Sequence, residues 1–187
     1  MILTDREIQI ALSRKQIIID PLPQAIAYSS TSVDLTLDPV LNVFAVGNSS
    51  IKKVIDPTNP AFNTEEVLAE LTKTEDISGG YELQPKVLVL GWSAEYVELP
   101  MDSRIAARVE GKSSLARLGL GVHITAPTIH AGFPGQIRLE IVNHGHLPIL
   151  LKPGMRICQL IFEQTLGTAD AGYKGQFVGQ APAKGSG

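Results

Sequence analysis

Cysteine is almost missing from this sequence: Cys158 is the only one in 187 residues. A lone thiol excludes a disulfide framework within the chain and any structural zinc site built from several of its cysteines. It also suits a reducing compartment, so the expected location is the cytoplasm. Positive charge is scarce as well, with 16 Lys and Arg against 19 Asp and Glu and a formal net charge of -3. A nucleic-acid polymer is therefore not the expected partner, whereas a mononucleotide needs only a few cations. No apolar run approaches the roughly 18 to 20 residues of a membrane-spanning helix. The opening MILTDREIQ has no basic flank followed by an apolar stretch, so neither export nor a membrane partner is expected. No internal repeat is apparent.

What is present is a globular composition, 44% hydrophobic and 19% charged, in a chain long enough to bury its own core. Thr4 followed by Glu7 has capping-box spacing, and Ile8, Ala11 and Leu12 then share a face, which predicts a short helix over 4–15. Val33, Leu35 and Leu37 alternate with Ser32, Asp34 and Thr36, which predicts a half-buried strand with Asp34 on its less apolar face. Residues 47–63 read as a surface loop, and TEEVLAEL at 64–71 fits either two helical turns or an extension of that loop.

From Tyr81 onward come short runs, VLVLG, EYVEL, RIAARV, GVHITA, QIRLEIVN and RICQLIF, mostly separated by turn residues. Many short strands without regular helices between them predict an all-β barrel or sandwich rather than a Rossmann-type sheet. Only 112–118 looks helical in this block, and NHGHLP reads as a hairpin connection. The organisation expected is one β domain over 1–165 with an N-terminal helix, followed by a Gly- and Ala-rich flexible tail over 166–187.

The stretch EGKSSLARLGLGVHITAPTIHAGFPGQIRLE, from Glu110 to Glu140, holds the candidate chemistry. Gly111-Lys112-Ser113-Ser114 offers a glycine, a cation, two hydroxyls and the start of a helix, all favourable to an anion. A Walker A loop is excluded, because its first glycine would fall at Ala106. The same four residues also fit an N-capped helix with an exposed lysine. Farther on, Ile137, Leu139 and Ile141 share one strand face while Gln136, Arg138, Glu140 and Val142 share the other. Glu140 thus fits either a surface carboxylate paired with Arg138 or a proton shuttle lining a cleft. Zinc-dependent deaminase chemistry is excluded, since its P-C-x-x-C element needs two cysteines.

These motifs carry a resemblance. The chain resembles the deoxycytidine triphosphate (dCTP) deaminase family, relatives of the trimeric deoxyuridine triphosphatases (dUTPases). The likeness runs through ILTDREI, TSVDLTLD, YELQPKVLVLGWSAEYVELP, VEGKSSLARLGLGVHITA, GFPGQIRLEIVN, LPILLKPGMRICQLIF and GYKGQFVGQ, nearly the whole chain. It implies a distorted, jelly-roll-like β barrel of the dUTPase (β-clip) type that forms a homotrimer with active sites between subunits. It also implies zinc-independent hydrolysis of dCTP to dUTP and ammonia, on the route to dUMP and dTTP, with dTTP as an expected inhibitor.

In that resemblance Glu140 activates the water, Ser113 and Arg117 position water and base, and the backbone at Ala126 helps hold the water. Lys112, Ser113 and Ser114 face the triphosphate, which carries Mg2+, and no metal is bound by the protein itself. His130 stands at the sugar, Gln136, Ile137 and Arg138 are further nucleotide-binding positions, and Tyr173, Gln176 and Gln180 belong to the tail that closes over the nucleotide.

The departures are as specific. His130 replaces an aspartate that contacts the deoxyribose in the family and is the water-activating base in the triphosphatases. Gln176 and Phe177 replace a lysine and a tyrosine, and Pro127 stiffens the loop after Ala126. They keep two alternatives open: a dUTP diphosphatase or bifunctional enzyme, and a catalytically weak nucleotide-binding homologue.

Overall fold

A computed structural model of the protein describes residues 1–45, 54–171 and 179–182. Its first half contains α1 (Asp5–Ser13), β1 (Ile18–Asp20), β2 (Tyr28–Ser29), β3 (Ser32–Thr36), β4 (Val40–Phe44), α2 (Thr64–Leu71), β5 (Thr72–Asp76), β6 (Tyr81–Leu83) and β7 (Leu88–Glu98). The second half adds β8 (Ile105–Gly111), α3 (Ser113–Ala116), β9 (Leu120–Gly121), β10 (Thr128–Ile129), β11 (Pro134–Asn143), β12 (Ile149–Leu151) and β13 (Arg156–Gln164). The chain is mainly β with short helices, as its turn-punctuated strands predict.

The strands pair antiparallel in two main sheets. One runs β5-β4-β7-β11-β9, with β1 also pairing β7, and the other runs β10-β8-β13-β3-β2. Val89, Leu139 and Ile141 from the first sheet and Val33, Leu35, Val109, Leu160 and Phe162 from the second join one buried cluster. Burying each such side chain stabilises the fold by about 1.5–3 kcal/mol. Cys158 lies in this core, fully buried, where loss of solvent pushes its thiol pKa upward. Among the described residues no helix is long and apolar enough to cross a membrane.

Several local expectations are corrected. VLVLG and EYVEL are not separate strands but parts of β7, because Gly91 marks close packing instead of a break: a Cβ there would stand 2.7 Å from the Ile141 side chain. NHGHLP turns the chain but closes no hairpin, since the following β12 pairs with β6. GVHITA does not form a strand either, as only Leu120–Gly121 and Thr128–Ile129 pair and the residues between them make a loop.

Two side-chain expectations also change. Thr4 donates its hydroxyl to the Glu7 carboxylate, not to the backbone link of a capping box, although α1 forms and buries Ile8 and Ala11. Asp34 is buried on β3, where Lys112 and Arg156 compensate its charge. α2 resolves the open reading of 64–71 as a helix, started by Asn63, whose side chain accepts from the Glu65 and Glu66 N–H groups. β4, β5 and β6 carry no clear sequence signal, being short and, in β5, largely exposed.

Candidate active site

Strand β11 organises the site. Gly135, Ile137, Leu139, Ile141 and Asn143 are buried, and the intervening Gln136, Arg138, Glu140 and Val142 are half-buried on the other face. The alternation legible in the sequence therefore holds at every residue from Pro134 to Asn143. The pairing of β11 with β7 shifts register between Gln136 and Arg138, where residues 93–95 of β7 stand opposite the single residue Ile137. Ser93 fills this irregularity by accepting from the Ile137 N–H at 2.9 Å and donating to the Glu95 carbonyl at 2.8 Å. Such bulges re-aim side chains beside functional sites.

Glu140 opens onto a cleft of about 410 Å³. The backbone N–H of Ile124 donates to Glu140 Oε2 at 3.3 Å. That N–H belongs to the loop between β9 and β10, anchored by the buried Val122 and carrying His123 and Ala126 along the cleft wall. His123 Nδ1 is buried there with no hydrogen-bond partner among the described residues. His130 and Phe133 line the cleft from the turn before β11, and the Phe133 N–H donates to the His130 carbonyl at 3.1 Å.

Arg138 lies over the Trp92 ring at 4.7 Å from its centroid and donates to Asn42 Oδ1 at 3.0 Å. Burial lowers the pKa of this guanidinium, while the charges of Glu65 and Glu140 act to raise it. Gln136 does not line the cleft with its side chain, which donates to the Ser93 carbonyl at 2.7 Å; its backbone N–H donates to the Gln180 carbonyl at 3.0 Å. Gln180 thereby reaches the cleft rim next to Gly135. Tyr173 and Gln176 lie outside the described residues.

The sequence candidates fall into two groups. Glu140, Ala126, His130, Ile137, Arg138 and Gln180 share the cleft. Lys112, Ser113, Ser114 and Arg117 are not part of its lining and belong to the short helix α3 and its flanks, where Ser113, Ser114 and Arg117 are exposed. Lys112 is held by Asp34 at 2.5 Å, and Arg156 reaches the other oxygen of the same carboxylate at 3.3 Å.

Sequence reasoning missed the contribution of α2, whose Thr64, Glu65 and Leu68 form a wall of the cleft. The Asn63 cap and the acidic first turn could have marked the helix that the sequence reading left open, but nothing in the sequence related it to β11. Among the described residues no group of three His, Cys, Asp or Glu side chains is placed to hold a metal ion.

A half-buried carboxylate beside a backbone donor, at the wall of a cleft, is an arrangement suited to moving a proton to or from water. Comparison with solved structures gives the fold class. A 2'-deoxycytidine 5'-triphosphate deaminase from Agrobacterium tumefaciens superposes with a TM-score of 0.66 at 22% identity, over 87% of this chain and 48% of that one. This chain thus spans about half of the Agrobacterium polypeptide. A mutant dUTPase from phage phi11 of S. aureus superposes with a TM-score of 0.51 at 9% identity, over 86% of this chain and 98% of that one.

Sequence comparison is more particular. The dCTP deaminase-like family model matches residues 2–165. The "dCTP deaminase, dUMP-forming" of Persephonella marina is 38% identical over 180 residues, covering 96% of this chain and 93% of the relative. The "dCTP deaminase" of Rhodospirillum rubrum is 38% identical over 173 residues, covering 92% and 87%. The protein belongs to the dCTP deaminase-like family.

Proposed function

We propose that the protein hydrolyses the exocyclic amine of dCTP, releasing dUTP and ammonia, with Glu140 as the proton-transferring carboxylate. The observation that carries this reading is the placement of Glu140 at the cleft, joined to the Ile124 N–H, in a chain whose curated relatives are named dCTP deaminases. Glu140 takes a proton from water as its oxygen adds to C4 and passes that proton to N3. The same carboxylate then takes the proton of the new C4 hydroxyl and hands it to the amine, so the C4–N bond breaks and ammonia leaves with the C4 carbonyl restored. Donors near C4 stabilise the tetrahedral centre, a role assigned to Arg117 and Ser113.

The two groups of candidates lie apart in one chain, which favours a site completed by a neighbouring copy: Glu140 and Ala126 from one subunit, Ser113 and Arg117 from another. Together with the resemblance to the trimeric dUTPases, this supports proposing a homotrimer. Lys112, Ser113 and Ser114 then face the triphosphate, with Lys112 redirected from Asp34 or sharing its charge. Magnesium, which favours oxygen ligands and retains waters, fits an ion brought by the phosphates. Zinc has no role in this scheme. The remaining tail, over 166–187, is proposed to close on the nucleotide through Gln180, in a cytoplasmic enzyme that dTTP inhibits by competing for the cleft.

A second reading is favoured by the relatives named dUMP-forming. In it the enzyme also cleaves the triphosphate, giving dUMP and diphosphate. His130 stands where that chemistry would use a carboxylate, and an imidazole does not reproduce its two acceptor oxygens and negative charge. Incubation with dCTP or dUTP and magnesium, with ammonia and diphosphate measured together, separates the two. Ammonia without diphosphate supports deamination alone, both products support the bifunctional reading, and neither refutes both.

A further inference from the structure

Arg138 is held by side chains from three other elements, Trp92, Asn42 and Glu65. It stands two residues before Glu140 on the same face of β11. Trp92 is its cross-strand partner, so the stacking of guanidinium on indole at 4.7 Å is set by sheet register. Asn42 on β4 accepts from Nη2 at 3.0 Å, and Glu65 on α2 lies 3.8 Å from Nη1. The side chain is only 16% exposed, and its Nε is buried without a hydrogen-bond partner among the described residues. An exposed ion pair such as that with Glu65 contributes little alone. The aromatic stack and the amide make the seat, and the seat fixes where the charge lies.

We infer that Arg138 is a positioning residue for the deamination reaction. Its seat on Trp92, Asn42 and Glu65 fixes a cation beside Glu140 and makes α2 part of the catalytic cleft. The inference rests on Glu140 being the base. A cation near a carboxylate favours the ionised form, which is the form that must accept the proton of water. Among the described residues that line the cleft, the charged or titratable groups besides Glu140 are Arg138 on its own strand, Glu65 on α2, His123 on the loop before β10 and His130 on the turn before β11. Of these, Arg138 and Glu65 have opposite sign and predict opposite effects.

The test is the pH dependence of kcat/KM for ammonia release from dCTP by the full chain and three variants. Arg138→Met should move the acidic limb to higher pH, as expected for a removed neighbouring cation. Glu65→Gln should move it to lower pH by less, and Arg138→Lys should restore most of the wild-type position. Limbs that stay in place, or move the same way in both variants with a lower melting temperature, would overturn the inference in favour of a purely structural Arg138. A large rise in KM with an unmoved limb would also overturn it and assign Arg138 to nucleotide contact. Glu140→Gln is the control: if ammonia release survives it, or if wild-type protein releases none, the reading of Glu140 fails and takes the inference with it. An unmoved limb in an enzyme silenced by Glu140→Gln refutes only the role of Arg138.

Discussion

The Ile124 N–H donates to Glu140 Oε2 at 3.3 Å, joining the loop between β9 and β10 to the strand that carries the proposed base. The contact needs no side chain from the loop, so Ile124 itself can remain exposed to solvent at 56%. One carboxylate oxygen is oriented by the backbone. The orientation depends on the loop's path, which Pro127 stiffens and the buried Val122 anchors.

Gly135 controls the approach of Gln180. Its φ of +150 favours glycine, and a Cβ there would come within 2.9 Å of the Gln180 carbonyl oxygen. Gly135→Val should displace residues 179–182 from β11, breaking the Gln136–Gln180 and Gly179–Pro134 backbone hydrogen bonds. If tail docking assists binding, dCTP affinity falls roughly tenfold, the equivalent of one or two net hydrogen bonds. Calorimetric titration in a Glu140→Gln background reads this directly, and unchanged affinity would remove Gln180 from the nucleotide site.

Asp34 has the opposite character, a buried charge with two cationic partners. Its side chain is 3% exposed, while those of Lys112 and Arg156 are 22% and 45% exposed. Asp34→Asn should therefore cost about 1–3 kcal/mol, since the lost partner is buried but the cations left behind can reach water. Urea denaturation gives the value, and a change below about 0.5 kcal/mol would show that the pairing contributes nothing net.

These two sites show what the sequence can and cannot convey. The faces of β11, the helix at α1 and the mainly β class follow from apolar periodicity, a local property. The same periodicity places Glu140 on the less apolar face and leaves surface and cleft both open; only the resemblance makes it a cleft candidate. The burial of Asp34 is not legible, because β3 is covered on both faces, and which neighbours cover a strand depends on distant parts of the chain. The Trp92–Arg138–Glu65 arrangement is invisible for a similar reason, joining residues far apart in sequence. Gly91 reads as a break because close packing and chain reversal both select glycine.

His130 lines the cleft and occupies the position where the resemblance expects a carboxylate. His130→Asp should strengthen nucleotide binding if a sugar hydroxyl is held poorly by the imidazole. Titration of wild-type and variant proteins with dCTP checks this, and equal affinities would contradict it. The same variant should release more diphosphate from dUTP than the parent if the carboxylate can activate water there.

Glu140 is proposed to move the protons of the deamination, and ammonia release from dCTP and magnesium by the wild type and by Glu140→Gln is the test. The wild type should release ammonia clearly and the variant about 10²- to 10⁴-fold less, the usual contribution of a general base, with dCTP still bound. Comparable ammonia release by both proteins would contradict it.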